Sequence, residues 1–301
     1  MMSNKSPLAT ILKVETNTTL PDEIHYRIQF KGCPLNCIWC NSPALKSKKI
    51  EIVPNETICV HCMACVSDCP STGIINLNNQ IHIQSKYCIG CMSCVEICPQ
   101  GALKPIGKKV SIVSLLNQLL PKKTSNDQNK KKLQVTLSGG EILSQSTFLL
   151  ALLKQLKEHF FFTICETTGY AKPDDFKKLL SYTDLLHFSL AHYNSQKHFE
   201  MTGVSNEIIL KNLSTALYTH KNITICIPIV QMVNDDLEDA KKFADLLTRL
   251  GVSRIKIKYF KKCGFETYLP LLPSDITTSQ AHQKILTYIE TLKKEGLEYS
   301  F

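Results

Sequence analysis

Eleven of the fourteen cysteines lie between Cys33 and Cys98, in two groups whose spacing differs. The first group is the stretch KGCPLNCIWC, in which Cys33, Cys37 and Cys40 follow the spacing C-x3-C-x2-C. Three thiolates complete neither a closed tetrahedral metal site nor a disulfide framework, but they suit a metal centre that keeps one position open. The group therefore predicts a metal centre that binds a ligand from outside the chain. A zinc ion with a fourth ligand from elsewhere in the chain is the alternative.

The second group of cysteines is an internal repeat. The runs CVHCMACVSDCP and CIGCMSCVEICP share the spacing C-x2-C-x2-C-x3-C-P and start 29 residues apart. Bacterial two-cluster ferredoxins use this run, and the fourth cysteine of each run binds the cluster of the other run. The spacing predicts two [4Fe–4S] clusters, one on Cys59, Cys62, Cys65 and Cys98 and one on Cys88, Cys91, Cys94 and Cys69. Structural zinc is the alternative, although it normally uses two C-x2-C pairs.

The composition describes an ordinary globular chain of 301 residues, with 44% apolar and 20% charged residues. That length suits one barrel-sized domain, or one large and one small domain. No apolar run approaches 18 residues and the N-terminus lacks the apolar core of a signal peptide, so we expect a cytoplasmic protein without membrane association. Cysteines in that reducing compartment indicate metal binding rather than disulfides.

The formal net charge of +9 comes mostly from lysines that are scattered along the chain. The one dense run, PKKTSNDQNKKK, is interpreted as a solvated loop. Bound clusters with their thiolates would also reduce the excess of positive charge. The sequence therefore argues against a nucleic-acid partner.

The cysteine groups lie within a strand–helix alternation that must position them. The stretch IHYRIQF alternates apolar and polar residues, which predicts a strand that ends just before Lys31 and the three-cysteine loop. The stretch GIINLNNQIHIQ predicts a hairpin with its turn at Asn78-Asn79, and SIVSLLNQLL predicts a helix after the repeat. Further strands are predicted at Leu133–Leu137, Phe161–Cys165, Leu185–Ser189, Ile223–Ile229 and Arg254–Ile257. The remaining helices are predicted at Thr147–His159, Pro173–Leu180, Glu207–His220, Asp236–Leu250 and Gln280–Lys294.

This alternation predicts the fold class. Alternating β and α elements indicate an α/β protein whose parallel sheet has right-handed crossovers. Six strands are too few for a complete eight-fold barrel, so we expect an open, partial (β/α)6 barrel with its chemistry at the carboxyl ends of the strands. The predicted domains are 1–52 with the first barrel strand and the three-cysteine loop, 53–106 as a ferredoxin-like insert with two [4Fe–4S] clusters, and 107–301 as the remainder of the barrel.

A C-x3-C-x2-C loop directly after a strand, followed by strand–helix units, resembles the radical SAM superfamily. The resemblance implies that Cys33, Cys37 and Cys40 are the catalytic residues and hold a third [4Fe–4S] cluster. In that family the fourth iron binds the amino and carboxylate groups of S-adenosylmethionine (SAM). One electron then splits the S–C5′ bond and gives methionine and a 5′-deoxyadenosyl radical. Trp39 stands where the family usually has an aromatic residue near the adenine.

Two further motifs carry the same resemblance. The stretch TLSGGE resembles the family element that contacts the amino group of SAM, and a glycine pair at a strand end lets the backbone approach a ligand closely. The stretch ETTGY ends another strand, where the family often has an acidic residue and a threonine beside the same group. The resemblance implies SAM contacts from the residues of both motifs, namely Ser138, Gly139, Gly140, Glu141, Glu166 and Thr167.

One branch of the superfamily fits the whole layout: the glycyl-radical-enzyme activating enzymes, which are similar to pyruvate formate-lyase activating enzyme and include members with two inserted ferredoxin clusters. The similarity runs from about Ile24 to Gly264 and rests on KGCPLNCIWCNSP, SGGE, HFEMTGVSNEIILKNL and the pair Asn234-Asp235. It implies hydrogen abstraction from the α-carbon of one glycine in a partner, the glycyl radical enzyme. The implied electron donor is a flavodoxin or ferredoxin, and the inserted clusters would pass electrons to the open cluster or help to dock the partner.

Several positions depart from that branch. LPDEIH stands where a glycine-rich loop ending in arginine is usual, and Ser189–Ala191 replaces an Asp-x-Lys. Cys226 takes the place of a common arginine, QMVND lacks the usual Pro-Gly, and Lys261 falls near an expected histidine. A missing lysine would leave the SAM carboxylate without a cation. The candidates to replace it are Lys256, Lys258 and Lys261.

These departures leave two alternative functions open. One is a radical SAM enzyme that acts on another substrate. The other is an iron–sulfur electron-transfer or regulatory protein with a degenerate SAM site. All eleven cluster cysteines are present, which argues against decay of the iron sites but does not test SAM binding.

Overall fold

The fold is that of a computed structural model, which describes residues 7–17, 23–120, 132–220, 222–262, 268–270, 281–294 and 296–300. The strands are β1 Leu8–Asn17, β2 Glu23–Phe30, β3 Glu51–Pro54, β4 Ile74–Leu77, β5 Gln80–Ile83, β6 Leu103–Ile106, β7 Lys108–Ser111, β8 Lys132–Gly139, β9 Phe162–Thr167, β10 Leu185–Ser189, β11 Ile223–Val230, β12 Arg254–Lys262, β13 Tyr268–Pro270 and β14 Glu298–Ser300. The helices are α1 Ala64–Ser67, α2 Ser93–Glu96, α3 Ile112–Leu119, α4 Ser146–Glu158, α5 Pro173–Leu180, α6 Ser195–Thr202, α7 Glu207–Thr219, α8 Leu237–Arg249 and α9 Ala281–Lys294. Apart from Lys132, the predicted lysine-rich loop lies outside the described residues, as does Cys263. Within the described ranges, no helix has both the length and the apolar character that crossing a membrane requires.

A sheet of ten strands forms the centre of the described fold, and its middle is parallel. Strands β2, β8, β9, β10, β11 and β12 are neighbours in that order, and each adjacent pair is parallel. β1 pairs antiparallel with β2, and β7 pairs antiparallel with β1, so both cover the edge beside β2. β13 and β14 pair with the two ends of β12. The predicted α/β fold with a parallel sheet is confirmed, and its six predicted strands are these six neighbours.

The two faces of the parallel sheet differ in polarity, because successive side chains of a strand point to opposite faces. The face that carries Ile28 packs against the helices in the main apolar core. The other face carries Arg27 of β2, which pairs with Thr136 of β8. It also carries Glu166 of β9, which pairs with His187 of β10. Parallel sheets are usually apolar on both faces. The polar face therefore marks the side of the sheet that can accept a polar ligand.

Local signals explain where the covering helices begin and end. α5 begins with Pro173 in its first turn, has two aspartates there, and carries lysines in its last turn, as the helix dipole favours. α8 begins after Asp236, whose side chain accepts a hydrogen bond from the backbone N–H of Asp239 at 2.7 Å. Buried residues on one side of each helix, such as Phe176 and Phe243, join the main core.

Residues 51–106 form two small sheets around a core of their own, in which β3 pairs with β6 and β4 pairs with β5. Asn78 and Asn79 have φ values of 51° and 64°, as a two-residue hairpin turn requires, so the predicted hairpin is confirmed. α1 and α2 follow Met63 and Met92, which occupy equivalent positions in the repeat and have left-handed φ values of 59° and 76°. The two runs therefore fold alike. The buried residues of this second core are Ile52, Cys65, Ile74, Ile81, Cys94 and Leu103.

Phe188 of β10 allows a test of the packing between sheet and helices. Its buried ring meets Phe176 edge-on, with 6.0 Å between ring centroids and 89° between planes. We expect Phe188→Ala to lower the free energy of unfolding by about 3–5 kcal/mol, because it leaves a cavity in the core. Phe160 is 92% exposed, so Phe160→Ala should change that free energy by less than ~0.5 kcal/mol. Anaerobic denaturant titration measures both variants, and equal losses would contradict this packing.

Candidate active site

A cavity of about 280 Å³ lies at the carboxyl ends of the parallel strands. The three-cysteine loop forms one wall, and residues that follow β8 and β9 form another. The structure therefore brings together motifs that are distant in the chain. Of the ten residues predicted for the open metal centre and SAM, the eight that line the cavity are Cys33, Cys37, Trp39, Cys40, Gly139, Gly140, Glu166 and Thr167.

Backbone hydrogen bonds hold the three-cysteine loop from two sides. The N–H of Cys33 donates to the carbonyl oxygen of Lys46 at 3.0 Å. The N–H of Asn36 donates to the carbonyl oxygen of Thr202, the last residue of α6, at 2.6 Å. α6 includes residues 198–202 of the HFEMTG stretch, so this motif supports the loop from outside the cavity.

The three cysteines of the loop line one cavity, in which Cys33 and Cys37 are half-buried and Cys40 is exposed. Burial is the main cause that raises the pKa of Cys33 to about 11 and the pKa of Cys37 to about 12. The thiols of Cys33 and Cys40 raise the pKa of Cys37 further. Thiolates that repel one another in a buried site require a positive partner, and metal ions bound by all three supply it. The donor set therefore fits an iron–sulfur cluster.

The SGGE turn is joined to the chain just before the three-cysteine loop. Gly139 has a φ of 122°, and a Cβ at this position would collide with the backbone of Phe30. The N–H of Gly140 donates to the carbonyl oxygen of Phe30 at 2.9 Å, and the N–H of Glu141 donates to that of Gly32 at 3.0 Å. The close approach of these two backbones requires glycine, whatever the cavity binds.

Glu141 lies behind the cavity and not in its wall. Its carboxylate is fully buried and accepts hydrogen bonds from the hydroxyl of Thr167 at 2.6 Å and from the N–H of Leu143 at 3.1 Å. It also accepts from the N–H and the hydroxyl of Thr168, at 2.8 and 2.5 Å. Burial raises the pKa of Glu141, and these donors oppose the shift. In the structure this side chain positions Thr167 and Thr168, and the predicted contact between Glu141 and SAM stays a prediction.

An ion pair on the polar face of the sheet holds Glu166. The two terminal nitrogens of Arg27 donate to its two carboxylate oxygens at 3.0 and 3.1 Å, and one of them also donates to the hydroxyl of Ser138 at 3.1 Å. Burial raises the pKa of Glu166, but the neighbouring His187, 3.7 Å away, and the hydrogen bonds from Arg27 outweigh burial and lower the pKa to about 2. Glu166 is therefore ionised at neutral pH. Ser138 does not line the cavity, and its side chain supports Arg27.

Arg27 is a functional residue that the sequence analysis missed. It alternates with Tyr26 and Ile28 in IHYRIQF, which indicates that it faces away from the apolar core. Its partner Glu166 follows 139 residues later, on a strand separated from β2 by β8. The alternation could have identified the face of Arg27, but only the strand order identifies its partner.

Two of the positions that depart from the expected branch line the cavity together with a candidate lysine. Ser189, Cys226 and Lys258 line the cavity. Burial raises the pKa of Cys226 to about 11, and the nearby charges that lower it include Lys258 and Lys256. Lys256 is half-buried and does not line the cavity, and the side chain of Lys261 lies outside the described residues. Of the three candidate lysines, Lys258 is the one found at the cavity wall.

Trp39 belongs to an apolar wall near the three thiols. Its ring centroid lies 6.2 Å from that of Phe260, with the two planes tilted by 45°. Both residues line the cavity, and Met201 and Val230 are buried in the same cluster. The wall offers an apolar surface that an aromatic base can pack against.

The eight cysteines of the repeat line two further, smaller cavities. Each cavity combines three cysteines of one run with the fourth cysteine of the other run, which is the grouping that the spacing predicts. No three His, Cys, Asp or Glu side chains in the described ranges are arranged as ligands of a single metal ion. The first set is Cys59, Cys62, Cys65 and Cys98, and the second set is Cys69, Cys88, Cys91 and Cys94.

Replacing Glu141 tests its positioning role. Its two carboxylate oxygens accept hydrogen bonds from four donors. In Glu141→Gln an NH2 group replaces one of these oxygens, and this group cannot accept from the donors that face it. We expect the free energy of unfolding to fall by about 2–3 kcal/mol. Glu158→Gln is the control, because Glu158 is exposed at the end of α4 and accepts one hydrogen bond, from Gln155. An unchanged denaturation midpoint in Glu141→Gln would contradict the role.

Comparisons with known proteins identify iron–sulfur domains and a related fold. A family model described as a 4Fe-4S dicluster domain matches residues 51–99, and one described as a 4Fe-4S single cluster domain matches residues 83–210. Among solved structures, a radical SAM methyltransferase from Sphaerobacter thermophilus shares the fold with a TM-score of 0.53 at 11% identity, over 98% of this chain and 76% of that one.

Curated relatives at higher identity cover most of the chain. The choline trimethylamine-lyase activating enzyme of Oleidesulfovibrio alaskensis is 37% identical over 221 residues, which are 72% of this chain and 71% of that one. The trans-4-hydroxy-L-proline dehydratase activating enzyme of Clostridioides difficile is 32% identical over 248 residues, with 81% and 82% covered. The (2S)-3-sulfopropanediol dehydratase activating enzyme of Klebsiella oxytoca is 30% identical over 278 residues, with 89% and 87% covered. The chain therefore belongs to the activating enzymes of glycyl radical enzymes, a branch of the radical SAM family.

Proposed function

We propose that this activating enzyme binds SAM in the cavity beside Cys33, Cys37 and Cys40, and there begins the hydrogen abstraction that leaves a glycyl radical on its partner enzyme. The observation that carries the proposal is a single cavity lined both by the three thiols and by the glycine pair Gly139 and Gly140. A cluster on three protein thiols keeps one iron position for a ligand from outside the chain. The cavity beside the thiols provides the space for that ligand.

The chemistry at this site divides between cofactor and protein. Cys33, Cys37 and Cys40 would hold a [4Fe–4S] cluster, and this cluster would supply the one electron that splits the S–C5′ bond of SAM into methionine and a 5′-deoxyadenosyl radical. This radical takes the hydrogen atom from the α-carbon of a glycine in the partner, giving 5′-deoxyadenosine and the glycyl radical. The chain itself must hold and orient SAM and exclude competing hydrogen donors.

Each wall of the cavity suits one part of SAM. Glu166, ionised and held by Arg27, together with Thr167 can accept hydrogen bonds from the amino group. Trp39 and Phe260 provide an apolar wall for the adenine. Lys258 is the cation that we assign to the carboxylate, in place of the lysine and arginine usual in this branch.

The two cysteine sets of the repeat are proposed to hold two more [4Fe–4S] clusters, which makes three clusters in all. The dicluster family model that matches residues 51–99 supports this count for the repeat. We further propose a partial barrel of six parallel strands, divided into domains 1–52, 53–106 and 107–301, with 53–106 as the ferredoxin-like insert. The separate core and sheets of residues 51–106 support that division.

The partner of the proposed reaction is a glycyl radical enzyme, since the named relatives are activating enzymes of lyases and dehydratases. We also propose that a flavodoxin or ferredoxin delivers the electron and that the protein works in the cytoplasm. A small electron carrier of this kind could dock near the exposed apolar residues of the repeat, such as Val60 and Ile89.

The proposed reaction gives a direct test. Anaerobically reconstituted protein with SAM and dithionite should produce 5′-deoxyadenosine, and an added glycyl radical enzyme partner should then show a glycine-centred EPR signal. Cys37→Ala should abolish both, because it removes a proposed cluster ligand. Cys165→Ala is the control, since Cys165 is buried on the apolar side of β9 and should retain both. Absence of 5′-deoxyadenosine from the wild-type protein would favour the electron-transfer or regulatory alternative.

Two lysines of one strand provide a matched test of the carboxylate site. Lys258 and Lys256 lie two residues apart on β12, and Lys258 is the one that lines the cavity. We expect Lys258→Ala to weaken SAM binding about 10- to 100-fold, because it removes a charge-assisted hydrogen bond. Lys256→Ala should change the affinity by no more than about twofold. Anaerobic titration calorimetry measures both, and equal affinities in the two variants would contradict the assignment.

A further inference from the structure

Lys31 is a fully buried lysine between the strand β2 and the three-cysteine loop. Its ammonium donates to the carboxylate of Glu51 at 2.8 Å and to the carbonyl oxygen of Ala44. Ala44 belongs to the chain that follows the three cysteines, and Glu51 is the first residue of β3. One ammonium group therefore joins the three-cysteine loop to the segment that carries the other eight cysteines.

Lys31 also touches the point where that segment ends. A Cβ on Gly107, just after β6, would collide with the alkyl chain of Lys31. The backbone of Lys31 is fixed in turn, since its N–H donates to the carbonyl oxygen of Thr10 at 3.0 Å and its own carbonyl accepts from Gln145 at 2.8 Å. Burial of an ammonium is costly unless it is paired and hydrogen-bonded. The contacts of Lys31 thus bind both ends of residues 51–106 to the rigid sheet.

The cysteine set that includes Cys88 lies against the chain leaving the main cavity. Lys46 lines the main cavity, and Ser47 and residues 49–52 line a small cavity together with Cys88. Ile50 also contacts the turn between Cys88 and Cys91, because a Cβ on Gly90 would be only 3.5 Å from the Cβ of Ile50. Four residues span at most about 14 Å, so Ile50 lies within that distance of Lys46.

The other cysteine set lies at the opposite end of β3. Pro54, the last residue of β3, pairs with Leu103, which lines the cavity of Cys59. The next residue, Asn55, donates its N–H to the carbonyl oxygen of Ala102 at 2.7 Å, and Ala102 lines that same cavity. Ile52 of β3, in contrast, lines the cavity of Cys88. β3 therefore leads from the Cys88 set, near the three-cysteine loop, to the Cys59 set.

We propose that Lys31 is a positioning residue that holds one cysteine set of the repeat against the three-cysteine loop. This set, here called the inner set, is Cys69, Cys88, Cys91 and Cys94. The set farther from the loop, here called the outer set, is Cys59, Cys62, Cys65 and Cys98. The inference rests on the proposed function, since it takes clusters to be held by all three thiol sets. It orders the two ferredoxin-like sites: an electron that crosses the segment reaches the SAM site from the inner set.

The repeat supplies a matched pair of variants for the test. Cys62 and Cys91 are the second cysteines of the two runs, and both are exposed. The readout is the EPR signal of the reduced protein that changes when SAM is added, here called the SAM-responsive signal. A second reduced cluster close to this one broadens its signal through magnetic coupling. We expect Cys91→Ala to remove the broadening and Cys62→Ala to keep it, with each variant losing the iron of one cluster.

Serine variants cover the case in which an alanine variant loses both clusters of the segment. Cys91→Ser and Cys62→Ser keep a ligand atom and alter the EPR signature of one cluster only. Double-resonance EPR should then give the stronger coupling to the SAM-responsive signal for the cluster altered by Cys91→Ser. Stronger coupling to the cluster altered by Cys62→Ser would reverse the proposed order and overturn it.

Variants of the ion pair test Lys31 itself. Lys31→Met keeps the alkyl chain and removes the ammonium, and Glu51→Gln removes the charge of its partner. Both should weaken the coupling between the inner cluster and the SAM-responsive signal, while SAM affinity stays within about twofold of wild type. Lys31→Arg should restore part of the coupling, since a guanidinium keeps the charge. Glu56→Gln is the control, because Glu56 is exposed in the same segment.

The outcomes separate this inference from the proposed function. A loss of stability in Lys31→Met and Glu51→Gln with unchanged coupling would leave Lys31 a merely structural residue and overturn its positioning role. A wild-type protein in which SAM changes no EPR signal would instead overturn the proposed function. A SAM-responsive signal that shows no coupling to either cluster of the segment would overturn the inference alone.

Discussion

Cys33, Cys37 and Cys40 line one cavity, where their thiolates would repel one another unless metal ions bind them, and the surroundings of the loop are organised by that constraint. Burial and the neighbouring thiols raise the pKa of Cys37 to about 12, so the loop needs both metal ions and a rigid frame. The SGGE turn and α6 supply the frame through backbone hydrogen bonds. Four donors satisfy the carboxylate of Glu141 and Arg27 pairs with the carboxylate of Glu166, which limits the negative charge that the two add beside the thiols.

The spacing of the cysteines predicted the cysteine sets, and the alternation of strands and helices predicted the parallel sheet. The cysteine sets depend on local spacing, and the six parallel strands depend on apolar runs of the length that a buried strand needs. β7 was missed because it pairs with β1 across about a hundred residues, which no local pattern records. The burial of Glu141 and the partner of Arg27 depend on strand order and register, so a linear motif could not identify either.

Two departures from the branch, Ser189 and Cys226, lie on the same cavity wall as Lys258. Ser189 and Cys226, which replace charged residues, line the cavity beside Lys258 on the next strand. In the register of the sheet, Cys226 pairs with Lys256, and Pro228 pairs with Lys258. The resemblance implied an arginine at position 226 of β11, whereas in this chain a lysine lines the cavity from β12, two residues beyond the partner of Cys226. A bound carboxylate would interact with a positive charge at the cavity wall in the same way, whichever strand carries the charge.

The exchange of fourth cysteines between the two runs makes residues 51–106 an obligate unit. Cys98 lines the cavity of the first run, and Cys69 lines that of the second, while Cys65 and Cys94 are buried in one shared core. Neither run therefore contains all four cysteines of a cavity, and each cavity needs both runs. With clusters in both cavities, as proposed, each run would tie down the other through a single cysteine, so the loss of one cluster is expected to loosen one ligand of the other and leave its remaining three in place.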